Sequence, residues 1–397
     1  MSLLARLLGP RASASADSLD AFLRGLGLGQ TKAGVAVTPD TALQVATVYA
    51  CVRVLAEDIA ALPLILYRRL PNGGKERATD HPLYRVMRNR WNRRHTAFEA
   101  KEFLQGCLGL RGNAYALIVR GRIDRVVREI IPIRPDRVTV EEGDDLSVRY
   151  RIEGADREFT DREILHLRGL STDGLIGLSP ITVAREAIGL AIATQNHGST
   201  LFRNGARPGG VLEHPGKLSK EAAERLKESV EHAISGDNLH RLLLLEEGLK
   251  WHQVGLTSED AQFLETRKFQ RQEIAAFYRM PLHKIGDLER STFSNIEHQS
   301  LEYVTGTLLS WMVRWEQRCN ESLLTDEERE DYFFEHLVDA LLRGDTKTRY
   351  EAYRMAILDG WMSRNEVRER ENLNPVEGLD EFYMPLNTTT TGGRSEQ

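Results

Sequence analysis

The sequence predicts an α+β protein of several domains. Its length of 397 residues is more than a single domain usually holds. Two patterns give the class. Long runs place apolar residues three and four apart, as amphipathic helices do, and short alternating runs between proline and glycine turns read as strands. Apolar residues at 41% and charged residues at 28% are globular values. The longest apolar run, Ile59 to Tyr67, contains Pro63. A membrane span needs about 20 residues, so no membrane role is expected.

Residues 1–40 read as a flexible arm: Gly25, Gly27 and Gly29 form a GxGxG that no strand precedes. MSLLARLLGPRASASA imitates a signal peptide, but Arg6, Gly9, Pro10 and Arg11 break its apolar core, so a cytoplasmic start is expected. Thr41 and Gln44 offer a capping box for a helix over 41–62 with apolar residues at Val45, Val48, Val52, Leu55, Ile59 and Leu62. Pro63 ends it, and LILYRR followed by Pro71-Asn72-Gly73-Gly74 predicts a hairpin. Thr96 and Glu99 cap a second helix to Leu110, and Gly112-Asn113 hands over to the strand AYALIVR. Further strands are expected at 126–131, 137–141, 147–152 and 163–167.

Ser179-Pro180 is an N-cap and first-turn pair opening a helix to Asn204, which would be roughly 37 Å long. A compact α/β insert follows, with a charged helix over 218–234 and strands RLLLLEE and KWHQVG. Thr257 and Asp260 are read as capping the next long helix, which Pro281 stops after Met280. PLHKIGDLERSTFSN, 281–295, has neither period and reads as a loop. A helix over 296–324 comes next. DYFFEHLVDALL reads more helical than extended, and a helix over 345–358 and a Ser363/Glu366 capping box complete the pattern.

Charge and motif counts exclude several classes of function. Net charge is −5, the wrong sign for a protein gripping phosphate over a broad face. The segment 325–397 carries seventeen acids and nine bases, so that end should repel polyanions. Cys51, Cys107 and Cys319 are far apart and odd in number, which argues against a disulfide framework and fits a reducing compartment. The sequons at Asn320 and Asn387 then carry no meaning. Ser179 in GLSPI lacks the second glycine of a nucleophile elbow, and the histidines show neither HExxH nor HxH spacing. His197 and Ser199 are poorly placed on one helix to act as a pair. No GxxxxGK[ST] occurs, the Arg343-Gly344-Asp345 tripeptide suits a helix start, and Trp311 and Trp315 read as helix packing. Neither a catalytic residue, a metal ligand nor a cofactor is expected.

Six segments in order carry a resemblance: TALQVATVYACVRVLAEDIAALPLILYRR, LRGNAYALI, EILHLRG with GLIGLSPI, LFRNGARPGGVL, SEDAQFLETRKFQRQEIAAFYRMP and ALLRGDTKTRYEAYRMAILDGWMSRNEVRERENLNPVEG. Over 41 to about 387 the chain resembles the portal, or head-to-tail connector, proteins of tailed double-stranded DNA bacteriophages. The loop sequence GDLERSTFSN departs from the small-residue run common there. The resemblance implies a portal fold with an α/β wing (41–178, continued at 296–324), stem helices (179–204 and 258–280), a small α/β clip (205–257), a tunnel loop (281–295) and a helical crown (325–385). A disordered tail, 386–397, follows.

That resemblance also implies a homododecameric ring at one capsid vertex of the virion, assembled in the bacterial host cytoplasm. Double-stranded DNA would pass through it without tight binding during packaging and ejection. The implied partners are the terminase large subunit, the major capsid or scaffold protein, and a head-completion or tail adaptor protein. Lys284, Asp287, Glu289, Arg290, Ser291, Thr292 and Phe293 are the expected DNA-channel loop residues, and Gln195, Asn196 and Arg203 the channel-facing stem residues. Lys220, Glu221, Glu224, Lys227 and Glu228 are expected to face motor and adaptors. The competing readings are a soluble head adaptor or scaffold without a channel, and a serine hydrolase using Ser179 or Ser199.

Overall fold

The computed structural model describes residues 31–71, 73–203, 259–287, 301–338, 346–371 and 373–383, with short runs at 210–213, 219–220, 224–225 and 250–253 and residue 299. The chain forms two compact units, divided between His336 and Leu337.

In the first unit, α1 (Pro39–Ala42) and α2 (Ala46–Ala61) replace the expected single helix over 41–62. The capping box belongs to Thr38 with Thr41, because Pro39 supplies the fixed φ of a first helical turn. Gln44 lies in the turn between the two helices. Along α2, Val48, Cys51, Val52, Leu55 and Ile59 are buried at spacings of three and four. Leu62 turns extended before Pro63, and β1 (Leu64–Arg69) and β2 (Lys75–Arg77) form the expected hairpin.

After α3 (Pro82–Arg88), α4 (Ala97–Arg111) starts at the Thr96/Glu99 capping box and ends at Gly112, whose φ of 70° closes the helix. It packs along α2. β3 (Asn113–Arg120) then lies between β4 (Val127–Ile133) and β8 (Ile164–Arg168), while β5 (Val138–Glu142), β6 (Val148–Ile152) and β7 (Glu158–Thr160) form a second antiparallel sheet. Tyr115, Val138, Val140, Tyr150, Phe159 and Ile164 fill the space between these sheets.

The expected helix from Ser179 is divided into α5 (Pro180–Val183) and α6 (Arg185–Arg203), because Ala184 leaves helical geometry. β9 (Gly210–Glu213) and β10 (Lys250–Gln253) pair antiparallel, and α7 (Glu259–Phe277) follows. The Thr257 cap expected for it lies outside the described residues. A π-turn at Val304–Leu308 leads into α8 (Leu309–Leu323). Trp315 is fully buried, meets Trp91 edge-on at 6.3 Å and donates its indole N–H to Gln105 at 2.9 Å. This tryptophan packs the core as expected, with its one polar atom satisfied.

After α9 (Glu328–Asp331), Tyr332–His336 forms β11 and pairs with β1. The helical reading of DYFFEHLVDALL is corrected here. Phe334 and His336 are buried opposite Leu66 and Leu64, so a partner strand from the far end of the unit's sequence overrides the local preference.

The second unit holds α10 (Thr346–Leu358) and α11 (Arg364–Arg370). The Ser363/Glu366 capping box opens α11. Arg349 forks onto Glu371 at 2.7 and 3.2 Å, a two-point charge-assisted contact. Buried Asn365 ties down the backbone of Val376.

Candidate functional site: the paired helices and the root of the loop after them

The joint at the start of α5 is built from backbone contacts. Ser179 accepts from Thr182 N–H as an N-cap while its hydroxyl donates to Leu110 O at 2.9 Å, so it couples the helix start to the end of α4. The Thr182 contact is the N-cap expected from Ser179-Pro180. Asn113 closes the same joint, accepting from Gly177 N–H at 2.8 Å and donating to Gly177 O at 2.8 Å. Its oxygen also meets His166, which is 2% exposed and sits against the Tyr150 hydroxyl at 3.2 Å. Burial first, then Arg168 and Arg318, holds the His166 imidazole well below the ordinary histidine range.

α6 and α7 run antiparallel. Gly198 admits the Phe263 ring, and the buried Gln270 amide donates to Thr194 at 2.9 Å. Gln195, Asn196 and Arg203 are all exposed on α6. They present polar groups and one cation to whatever the pair faces.

The root of the following loop is held firmly. At the end of α7, the buried Tyr278 hydroxyl donates to Gly109 O, and Arg279 takes a left-handed φ of 52°. Thr307 in the π-turn donates to Arg279 O at 2.6 Å, which fixes that unusual backbone. A 3-10 turn, Leu282–Ile285, ends at Gly286 with a φ of 83°. The Lys284 ammonium lies 3.8 Å from Asp58 on α2 and 4.8 Å from the centre of the Tyr303 ring, a cation held by a carboxylate and an aromatic face together. Burial, then Asp58, raises the Tyr303 phenol above its ordinary range. Asp287 pairs with Arg271 on α7 at 3.4 Å. A cleft of about 560 Å³ opens beside this root, lined among others by Lys268, Gln272, His283, Asp287, Glu302 and Thr307.

Of the expected loop residues, Lys284 and Asp287 therefore sit in the anchored root, and Glu289, Arg290, Ser291, Thr292 and Phe293 lie outside the described residues. Of the insert residues, Lys220 and Glu224 are exposed, and Glu221, Lys227 and Glu228 lie outside the described residues. Sequence reading missed Asp58 and Tyr303 as anchors. Both sit on apolar-periodic helices, and only their meeting with Lys284 distinguishes them.

Comparison with known proteins agrees with this architecture. The family model described as phage portal protein matches residues 46–372. The chain is 36% identical over 379 residues to the probable portal protein of Streptomyces phage phiC31, covering 91% of this chain and 82% of that one. It is 32% identical over 349 residues to the portal protein of Enterobacteria phage HK97, covering 87% and 82%. A chain in the neck of an empty gene transfer agent particle superposes with a TM-score of 0.61 at 25% identity, covering 93% and 95%. Together these define a structural component of phage particles. The chain belongs to the phage portal protein family, and its place is the portal vertex of the virion.

Proposed function

We propose that twelve copies of this chain close into a ring whose channel carries double-stranded DNA during packaging and ejection. The single observation that carries this reading is the α6/α7 pair. It is joined at one end to α4 through Ser179 and Tyr278, and the β9–β10 ribbon follows α6 and precedes α7 in the chain. In this reading α5–α6 and α7 are the stem, with Gln195, Asn196 and Arg203 toward the channel. Residues 205–257 are the clip, 281–295 the tunnel loop, 41–178 with 296–324 the wing, and 325–385 the crown.

Head-to-tail contacts between wedge-shaped copies close a ring when the rotation per copy divides the circle. A conduit must let DNA slide. Each phosphate neutralised by a cation steepens the salt dependence of binding by about one, so a lining with few cations favours transit over capture. Partners consistent with this role are a terminase large subunit and an adaptor at the clip, with capsid or scaffold protein around the wing.

Negative-stain imaging with native mass spectrometry tests the reading. The expected particle is a closed ring with a central channel and twelve times the mass of one 44.9 kDa chain. Monomers and dimers alone, at micromolar protein across several salt concentrations, would overturn it.

A further inference from the structure

Residues 85–137 carry thirteen basic side chains and five acidic ones, although the whole chain is net −5. The fold brings three of them, Arg94, Arg134 and Arg137, to one cleft. Ile130 donates to Trp91 O at 2.9 Å and Asn92 donates back to Ile130 O at 2.8 Å, stitching the segment after α3 to β4. Exposed Arg93 consequently lies 3.9 Å from Glu129 on β4, and exposed Arg94 lines that cleft with exposed Arg134.

The cleft, of about 390 Å³, lies at the open end of the core between the two β-sheets. Leu117, Ile131, Ile133, Ile152 and Phe159 make an apolar floor, and Leu117, Ile133 and Ile152 continue directly into the core. Arg94, Arg134 and Arg137 form the rim, and Glu153 is the only carboxylate among the described lining residues. Asp136 holds the Arg134 guanidinium by a two-pronged contact at 3.1 and 2.5 Å, and Arg137 donates to Glu153 O at 2.8 Å. Among the described residues Arg94 has no carboxylate partner.

We propose that this cleft docks an acidic peptide segment of a partner protein. One or two aliphatic or aromatic side chains of that segment cover the floor, and its carboxylates meet Arg94, Arg134 and Arg137. Charge complementarity selects the sign, because guanidinium forks match carboxylates in two-point geometry. The floor selects peptide over nucleic acid, since a phosphate backbone resting on the arginines would leave exposed Ile131 and the apolar side chains beside it without a partner. A cleft of this size suits a few anchoring side chains rather than a folded domain.

The probe is a displayed library of random dodecapeptides, selected on the assembled protein and counter-selected on Arg94→Glu and Ile131→Asp. Both substitutions lie at exposed positions, and an unchanged melting temperature establishes that each variant is folded. The expected winners combine Asp or Glu with Leu, Ile or Phe. Synthesised and measured by fluorescence anisotropy, they should bind each variant at least tenfold more weakly and weaken several-fold between about 50 and 300 mM salt. Winners without acidic residues, or winners that bind both variants as well as the parent, would overturn the proposal. So would Arg94-dependent binding of a short DNA duplex that the peptides do not displace, which assigns the surface to phosphate. Loss of the assembly in Ile131→Asp alone would assign the cleft to a second copy of this chain.

Discussion

The Lys101 ammonium, 4% exposed within α4, donates a 2.6 Å hydrogen bond to the carbonyl of Leu62, the residue that ends α2. A cation there complements the negative end of the helix dipole and satisfies an orphan carbonyl. Burial nevertheless opposes the charge, and the Lys101 pKa is pushed down to about 8. The folded protein therefore binds fewer protons than the unfolded chain between about pH 8 and the ordinary lysine value of 10.5. Stability from this group is present above 10.5 and lost as pH falls through 8. The difference in unfolding free energy between the parent and Lys101→Met should rise across that window by on the order of 3 kcal/mol. Urea denaturation at fixed protein concentration measures it, and a flat difference would show that Lys101 is not the titrating group.

His166 sets an acid limit by the same linkage. Its folded pKa lies well below 6.5, so its contribution is present above pH 6.5 and lost as pH falls below that value. His166→Gln should have a shallower decline of melting temperature on acidification from pH 6.5 than the parent, even if it is less stable at neutral pH. Parallel declines in the two proteins would place the acid sensitivity elsewhere.

Gly112 and Gly106 predict opposite signs for one substitution. Gly112 has a φ of 70°, and a Cβ there would collide with the backbone carbonyl of Leu178. Backbone cannot swing aside as a side chain tip does, so Gly112→Ala should cost about 3 kcal/mol or more. Gly106 lies inside α4 with open space around its Cα, and Gly106→Ala should stabilise by about 0.5–1 kcal/mol. Thermal melts of the two variants against the parent check both signs.

What the sequence disclosed was local. The Thr96/Glu99 and Ser363/Glu366 boxes, the Ser179-Pro180 start and the Gly112 stop are settled within one helical turn, so they were readable without a structure. The first helix start misled because Thr38 and Thr41 both suit a cap, Pro39 decides between them for α1, and α2 then begins after Val45 with no side-chain cap. β11 was misread because its extended form depends on β1. At the loop root the decisive contact joins Lys284 to Asp58, far apart in the chain, which no spacing rule reaches. The basic rim of the cleft was hidden for another reason. An excess confined to 85–137 vanished in a whole-chain count of 53 bases and 58 acids.

The two cations of the 281–295 segment should separate by experiment. Lys284 is engaged with Asp58 and the Tyr303 ring, and its side chain is only 30% exposed. Lys284→Met keeps the aliphatic stem and removes the charge, leaving Asp58 facing a low-polarity neighbour. Its effect should be on the fold, a destabilisation of roughly 1–3 kcal/mol that Asp58→Asn in the same chain partly reverses. Arg290→Ala removes the other cation of the proposed tunnel loop. In this reading it should leave melting temperature and ring assembly unchanged while altering DNA packaging or retention in a complementation assay. If Lys284→Met instead melts like the parent and both variants impair packaging equally, the two cations share the channel role and the anchoring role assigned to Lys284 is wrong.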